Sequence, residues 1–124
     1  MRIAVPTMGT RGLDELVGDH FGKVPTYTIV DTERDTVEVI ENTSEHMGGT
    51  GLPPELMKRH NVHVMLVSGL GIRAIRLFEQ LGIMVYTGAG GTVRETLEKF
   101  RKGLLPPATD LNACREHSAH VHPD

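Results

Sequence analysis

The chain has 124 residues, of which 39% are hydrophobic and 23% charged, and a formal net charge of −3. That composition is globular rather than disordered, and a chain of this length can bury one core without staples. The slight acidity and the lack of a basic run exclude a domain that grips nucleic acid by neutralising phosphates, and the single cysteine excludes an internal disulfide.

RIAVP (2–6) is a short apolar run that reads as a buried strand. The stretch after it, through Pro25, is rich in glycine and poor in periodicity, which predicts a long loop with one helical turn around Asp14–Val17. TYTIVD (26–31) has β-branched and aromatic residues in alternation and TVEVIEN (36–42) follows suit, with TERD (32–35) as the connection, so a hairpin is expected. A second glycine-rich loop, 43–51, follows.

The remainder alternates helix and strand. LPPELMKRHN reads as a helix with prolines in its first turn and Leu56, Met57 and His60 on one side. VHVMLV (62–67) and IMVY (83–86) are continuous apolar runs, typical of strands covered on both faces. Between them IRAIRLFEQLG carries Ile72, Ile75, Phe78 and Leu81 near one face and stops at Gly82. In TVRETLEKFRKG, Thr92 and Glu95 make a capping box, Val93, Leu97, Phe100 and Leu104 form the apolar stripe, and Gly103 ends the helix.

Two successive strand–helix units demand right-handed crossovers and parallel strands. The expected fold is therefore an α/β domain over residues 1–107, with a five-stranded mixed sheet, antiparallel N-terminal strands and flanking helices. Residues 108–124 are expected to form a flexible tail after Pro106–Pro107. The N-terminus has no apolar run of signal or membrane-span length, so a cytoplasmic protein is expected.

In such a sheet, ligands gather beyond the carboxyl ends of the parallel strands. Four segments are expected there: Thr7–Gly12, the loop 45–51 with Gly48 and Gly49, SGLG with Gly69 and Gly71, and TGAGG with Gly90 and Gly91. Glycines admit backbone N–H groups to a ligand and helix N-termini favour anions, so the pattern suits an anion or an anionic cluster. Tight strand-to-helix turns also use glycine. It is the repetition in one short chain that favours a ligand site. Neither a P-loop nor G-x-G-x-x-G is present. His20 and His46, each in a glycine-rich loop, are the candidate side-chain ligands. Met8 and Met47 share those loops but read as packing, Phe21 as a buried anchor for its loop, and His60 and His63 as structural. No serine has a G-x-S-x-G setting, and the first strand carries no acid, so neither a hydrolase nor a two-metal nuclease is expected.

RIAVPT, DHFGKVPTYTIVD, VEVIEN, EHMGGTG, VMLVSGLGIRAIRLFEQLGIMVY and GGTVRETLEKFRKGLL, in that order from Arg2 to Leu105, resemble the dinitrogenase iron–molybdenum cofactor biosynthesis family. The resemblance implies a three-layer α/β/α, ribonuclease-H-like fold. It also implies a nitrogenase-accessory role: binding or carriage of an iron–molybdenum–sulfur or related metal–sulfur cluster, without catalysis. His20, Phe21 and Gly22 fall in the family's HFG position, and His46 precedes its glycine loop. A cluster-assembly or acceptor protein is the partner such a carrier needs, and neither nucleic acid nor membrane is expected. A small-anion or nucleotide-binding module using the same glycine loops is the alternative.

The tail departs from that pattern. Cys114, His117, His120 and His122 form C-x2-H-x2-H-x-H, which is not a zinc-finger spacing. Two readings stand: a short segment that takes a divalent metal as an accessory to the loops, or a polar end.

Overall fold

The computed structural model describes residues 1–44 and 52–108. Its strands are β1 (Arg2–Thr7), β2 (Thr26–Asp31), β3 (Thr36–Glu41), β4 (Val64–Leu66) and β5 (Met84–Tyr86). Its helices are α1 (Pro53–Arg59), α2 (Ile72–Gln80) and α3 (Val93–Arg101). The sheet order is β3-β2-β1-β4-β5. β1 is central, antiparallel to β2 (Ile3 opposite Val30) and parallel to β4 (Ile3 beside Val64), and β4 runs parallel to β5. This is the mixed five-stranded sheet with an antiparallel N-terminal hairpin that the alternation pattern predicts.

Side chains alternate across the pleat and divide the interior into two cores. Ala4, Tyr27, Ile29, Met65, Val67 and Val85 point to one face, where Leu56 and Met57 of α1 and Phe78 of α2 cover them. Ile3, Val5, Val30, Val64 and Leu66 point to the other, under Val93 and Leu97 of α3. β1 and β4 are buried on both sides, which is why they read as unbroken apolar runs. β5, expected to be covered likewise, is the edge strand, and its Met84 is exposed.

Helix ends follow local chemistry. α3 begins with the complete capping box: Thr92 Oγ1 accepts from Glu95 N–H, and the Glu95 carboxylate accepts from Thr92 N–H, both at 3.1 Å. Gly82 and Gly103 take φ of +74° and +72° just past α2 and α3, a backbone that L side chains disfavour. That turn removes Leu104 from the stripe of α3, and it is exposed rather than buried. His60 and His63 do serve the frame. Arg2 Nε donates to the His60 carbonyl at 2.9 Å, and Arg2 N–H donates to His63 Nδ1 at 3.0 Å.

The long loop after β1 corrects one expectation. No helical turn forms at Asp14–Val17; a single 3-10 turn covers Gly12–Asp14, and Leu16 and Val17 are extended bridge residues. The cause is the buried Glu15 carboxylate, which takes the Arg11 and Leu16 N–H groups and the Arg11 guanidinium. Gly9 packs against it, and a Cβ there, 2.5 Å from Glu15 Oε1, would make the carboxylate shift. With its amides so engaged the chain runs back along β1, with Met8 N–H on Leu16 O and Gly18 N–H on Pro6 O.

Candidate functional site

A cavity of about 600 Å³ opens at the carboxyl end of the parallel strands, on the face covered by α1 and α2. Three chain segments wall it. Asp19–Lys23 comes from the long β1–β2 connection, Leu52–Pro54 opens α1, and Gly69–Gly71 with Arg73, Ala74 and Leu77 runs from the β4 turn into α2.

The first wall is anchored from inside. The Phe21 ring packs on Phe78 at 5.3 Å and on Tyr27 at 6.2 Å between ring centres. The Tyr27 hydroxyl donates to the Phe21 carbonyl at 2.7 Å, and Asn42 Nδ2 donates to the carbonyls of Gly22 and Val24 at 3.2 and 2.8 Å. Burial pushes the Tyr27 phenol well above its ordinary range, so it remains a neutral donor. Asn42 also accepts from the N–H and hydroxyl of Ser44, both buried, and so ties the turn to the end of the β-hairpin.

The third wall supplies donors. The first amide of α2 that bonds within the helix is Ile75, to Gly71 O at 3.1 Å. The amides of Ile72, Arg73 and Ala74 precede it, and among the described residues no side chain caps them. Such unpaired N–H groups and the helix dipole favour a negative ligand. Lys23 and Arg73 add two cations against the single carboxylate of Asp19, and neither cation is engaged in an ion pair or side-chain hydrogen bond among the described residues. Phe21, Leu70, Leu77 and the two prolines make the rest of the lining apolar.

Gly69 and Gly71 are glycines the fold does not need. Neither has a positive φ, and among the described residues a Cβ built on either meets nothing within 4 Å. Two others are needed where they stand: a Cβ on Gly18 would collide with Val24 Cγ1, and Gly91 combines a φ of +70° with a crowded Glu95 carboxylate. Gly90 also has open space and no positive φ, but it does not line this cavity and the Thr96 hydroxyl takes both its N–H and its carbonyl.

The structure places His20, Phe21, Gly22, Gly69 and Gly71 on this one cavity. Gly90 and Gly91 are elsewhere. Gly90 exchanges hydrogen bonds with the Thr96 hydroxyl and Gly91 O accepts from Val17 N–H, so TGAGG closes onto α3 on the opposite face of the sheet. The segment Thr7–Gly12 is likewise absent from the cavity lining. His46, Gly48 and Gly49, and the tail residues Cys114, His117, His120 and His122, lie outside the described residues. Among the described residues, no group of three His, Cys, Asp or Glu side chains comes together to hold a metal ion.

A family model described as dinitrogenase iron–molybdenum cofactor matches residues 1–103. The chain belongs to that family. An uncharacterised protein of Methanocaldococcus jannaschii is 32% identical over 110 residues, covering 85% of this chain and 89% of that protein. Among solved structures, the apo form of the orange protein from Desulfovibrio gigas is similar, with a TM-score of 0.78 at 28% identity over 87% of this chain and 92% of that one. A NifB-like protein from Thermotoga gives 0.69 at 28% identity, over 86% and 91%. No helix among the described residues is long and apolar enough to cross a membrane.

In this member of the iron–molybdenum cofactor family, the cavity also uses residues that the sequence pattern does not single out: Lys23, Leu70, Arg73 and Leu77. Arg73 and Leu77 are one helical turn apart at the start of α2, so their shared face is the available signal. Lys23 directly follows HFG but looks like any solvated lysine.

Proposed function

We propose that the protein binds and carries an anionic metal–sulfur cluster, of the iron–molybdenum–sulfur type or related, in the cavity between the His20–Lys23 turn and the start of α2. The observation that carries this reading is the pair of glycines at 69 and 71, in ordinary backbone with open space where side chains would stand. A ligand pressed against the backbone accounts for them. The uncapped α2 amides, Lys23 and Arg73 suit its negative charge, the apolar lining excludes water from it, and exposed His20 offers one imidazole. A hold made mostly of amides and long-range charge releases its load readily, which fits carriage to an acceptor protein in the cytoplasm. Family membership and the sheet order β3-β2-β1-β4-β5 support this reading and a ribonuclease-H-like ancestry.

The test is an anaerobic titration of the full chain with an iron–molybdenum–sulfur cluster, alongside Gly69→Val, His20→Ala and a chain ending after Ala108. Uptake retained by the shortened chain and lost in Gly69→Val is the expected result. Uptake that follows the removed segment instead assigns the cluster to Cys114, His117, His120 and His122. Stabilisation by ATP or phosphate but not by cluster identifies a nucleotide or small-anion module.

A further inference from the structure

The turn that brings His20 to the cavity is held from beneath by a phenol that never reaches the cavity itself. Tyr27 is fully buried on β2, and its hydroxyl donates to the Phe21 carbonyl at 2.7 Å. The neighbouring carbonyls are engaged too, His20 C=O by Lys23 N–H at 3.0 Å and Gly22 C=O by Asn42 Nδ2 at 3.2 Å. A trans peptide unit is planar, with its N–H directed opposite to its carbonyl. The Phe21–Gly22 peptide, pinned by its oxygen to the phenol below, therefore turns the Gly22 N–H away from the core. Gly22 lines the cavity, and among the described residues its N–H has no partner.

A buried tyrosine needs an acceptor for its hydroxyl, but many carbonyls would serve. This one decides the direction of a free amide on the cavity wall. Resting on the cluster-binding reading above, we propose that Tyr27 is a positioning residue of the site: its hydroxyl orients the Phe21–Gly22 peptide so that Gly22 N–H donates to the anionic occupant. Gly22 and the start of α2 line the same cavity, so the occupant is gripped from two walls. The aromatic packing of Phe21 on Phe78 and Tyr27 does not depend on the hydroxyl. Tyr27→Phe thus separates peptide orientation from folding.

The experiment uses the ¹⁵N-labelled full chain and tetrathiotungstate, a diamagnetic anion that presents sulfide to the protein. In the parent, the amide signals of Gly22 and Ala74 move on addition. In Tyr27→Phe, Ala74 still moves, Gly22 does not, and affinity falls about ten- to a hundredfold, the worth of one hydrogen bond to a charged ligand. Ile29→Val, a core change on the same strand, binds like the parent and controls for general loss of stability. An undiminished Gly22 shift at parental affinity in Tyr27→Phe overturns the positioning role and leaves the cavity reading intact. Unmoved Gly22 and Ala74 signals in the parent overturn both. The parent alone gives a second readout: Gly22 N–H exchange with solvent slows when the anion is added, and unchanged exchange overturns the inference without any variant.

Discussion

Replacing Gly71 by serine should make the protein more stable and a poorer binder. Gly71 is the N-cap of α2, with φ −75° and ψ 158°, an extended backbone that any residue adopts. Serine is a better cap than glycine by a few tenths of a kcal/mol, since its hydroxyl accepts from a first-turn amide. Losing a glycine also narrows the unfolded ensemble, worth about 0.4–1 kcal/mol where the backbone is compatible. With open space at the Cβ position, nothing offsets these gains. Their sum of roughly 0.7–1.3 kcal/mol corresponds to a Tm rise of about 3–5 °C for a domain of this size. The same hydroxyl consumes an amide otherwise offered to an anion and intrudes on the cavity. Loss of one hydrogen bond to a charged ligand weakens binding about ten- to a hundredfold. Thermal unfolding by circular dichroism and anaerobic cluster titration read the two effects separately. A lowered Tm would mean that the fold itself requires Gly71. A raised Tm with undiminished binding would remove the start of α2 from the site.

Gly18→Ala drives a Cβ into Val24 Cγ1 and should cost about 1–3 kcal/mol by thermal unfolding. Thr92→Ala dismantles the capping box of α3 and should lower stability by about 1 kcal/mol, read as a shifted urea midpoint with an unchanged m-value. The Arg11 hydrogen bond, then the Leu16 N–H, hold the Glu15 carboxyl below its ordinary value of 4.5. The folded pKa is therefore the lower one, so the contribution of Glu15 to stability is complete above that value and is lost as pH falls through the folded pKa. Glu15→Gln should flatten the acid limb of the stability profile below pH 4.5; a limb of unchanged slope refutes it. Neutralising Lys23 and Arg73 together should weaken cluster uptake and reduce its dependence on ionic strength, measured by titration at two salt concentrations.

Where the chain speaks through periodicity, the fold was legible: the strands of the hairpin, the apolar run at β4 and the central residues of the α2 and α3 stripes fall where the pattern puts them, while Met84 of β5 and Leu104 beyond α3 are exposed. The segment Asp14–Val17 was misread because its conformation is set by Glu15 taking two backbone amides, a local competition that leaves no periodic trace. The cavity was legible only in part. Glycine content marked Gly69–Gly71 and Gly90–Gly91 equally, yet the two turns feed helices on opposite faces of the sheet, and glycine content does not encode the face. Gly69 and Gly71 border the cavity, whereas Gly90 has its N–H and carbonyl taken by Thr96 and Gly91 needs its positive φ, and that distinction exists only in three dimensions. Tyr27 was read simply as an aromatic of a strand, because its acceptor lies six residues earlier in an irregular turn.

The segment Pro106–Ala108 has a further consequence. Ala108 N–H donates to Val85 O at 2.8 Å and Thr87 N–H donates to Pro106 O at 2.9 Å, so the departing chain lies along the outer edge of β5. A short apolar edge strand with free amides invites pairing with a neighbouring molecule. Here three residues, two of them prolines, act as a selvedge on that side of the sheet. On the other side, β3 carries Glu38 and Glu41, whose charges discourage the same encounter. A protein cut before Pro106 should keep its cavity but lose its guard against self-association, so any study of the tail must cut beyond Ala108.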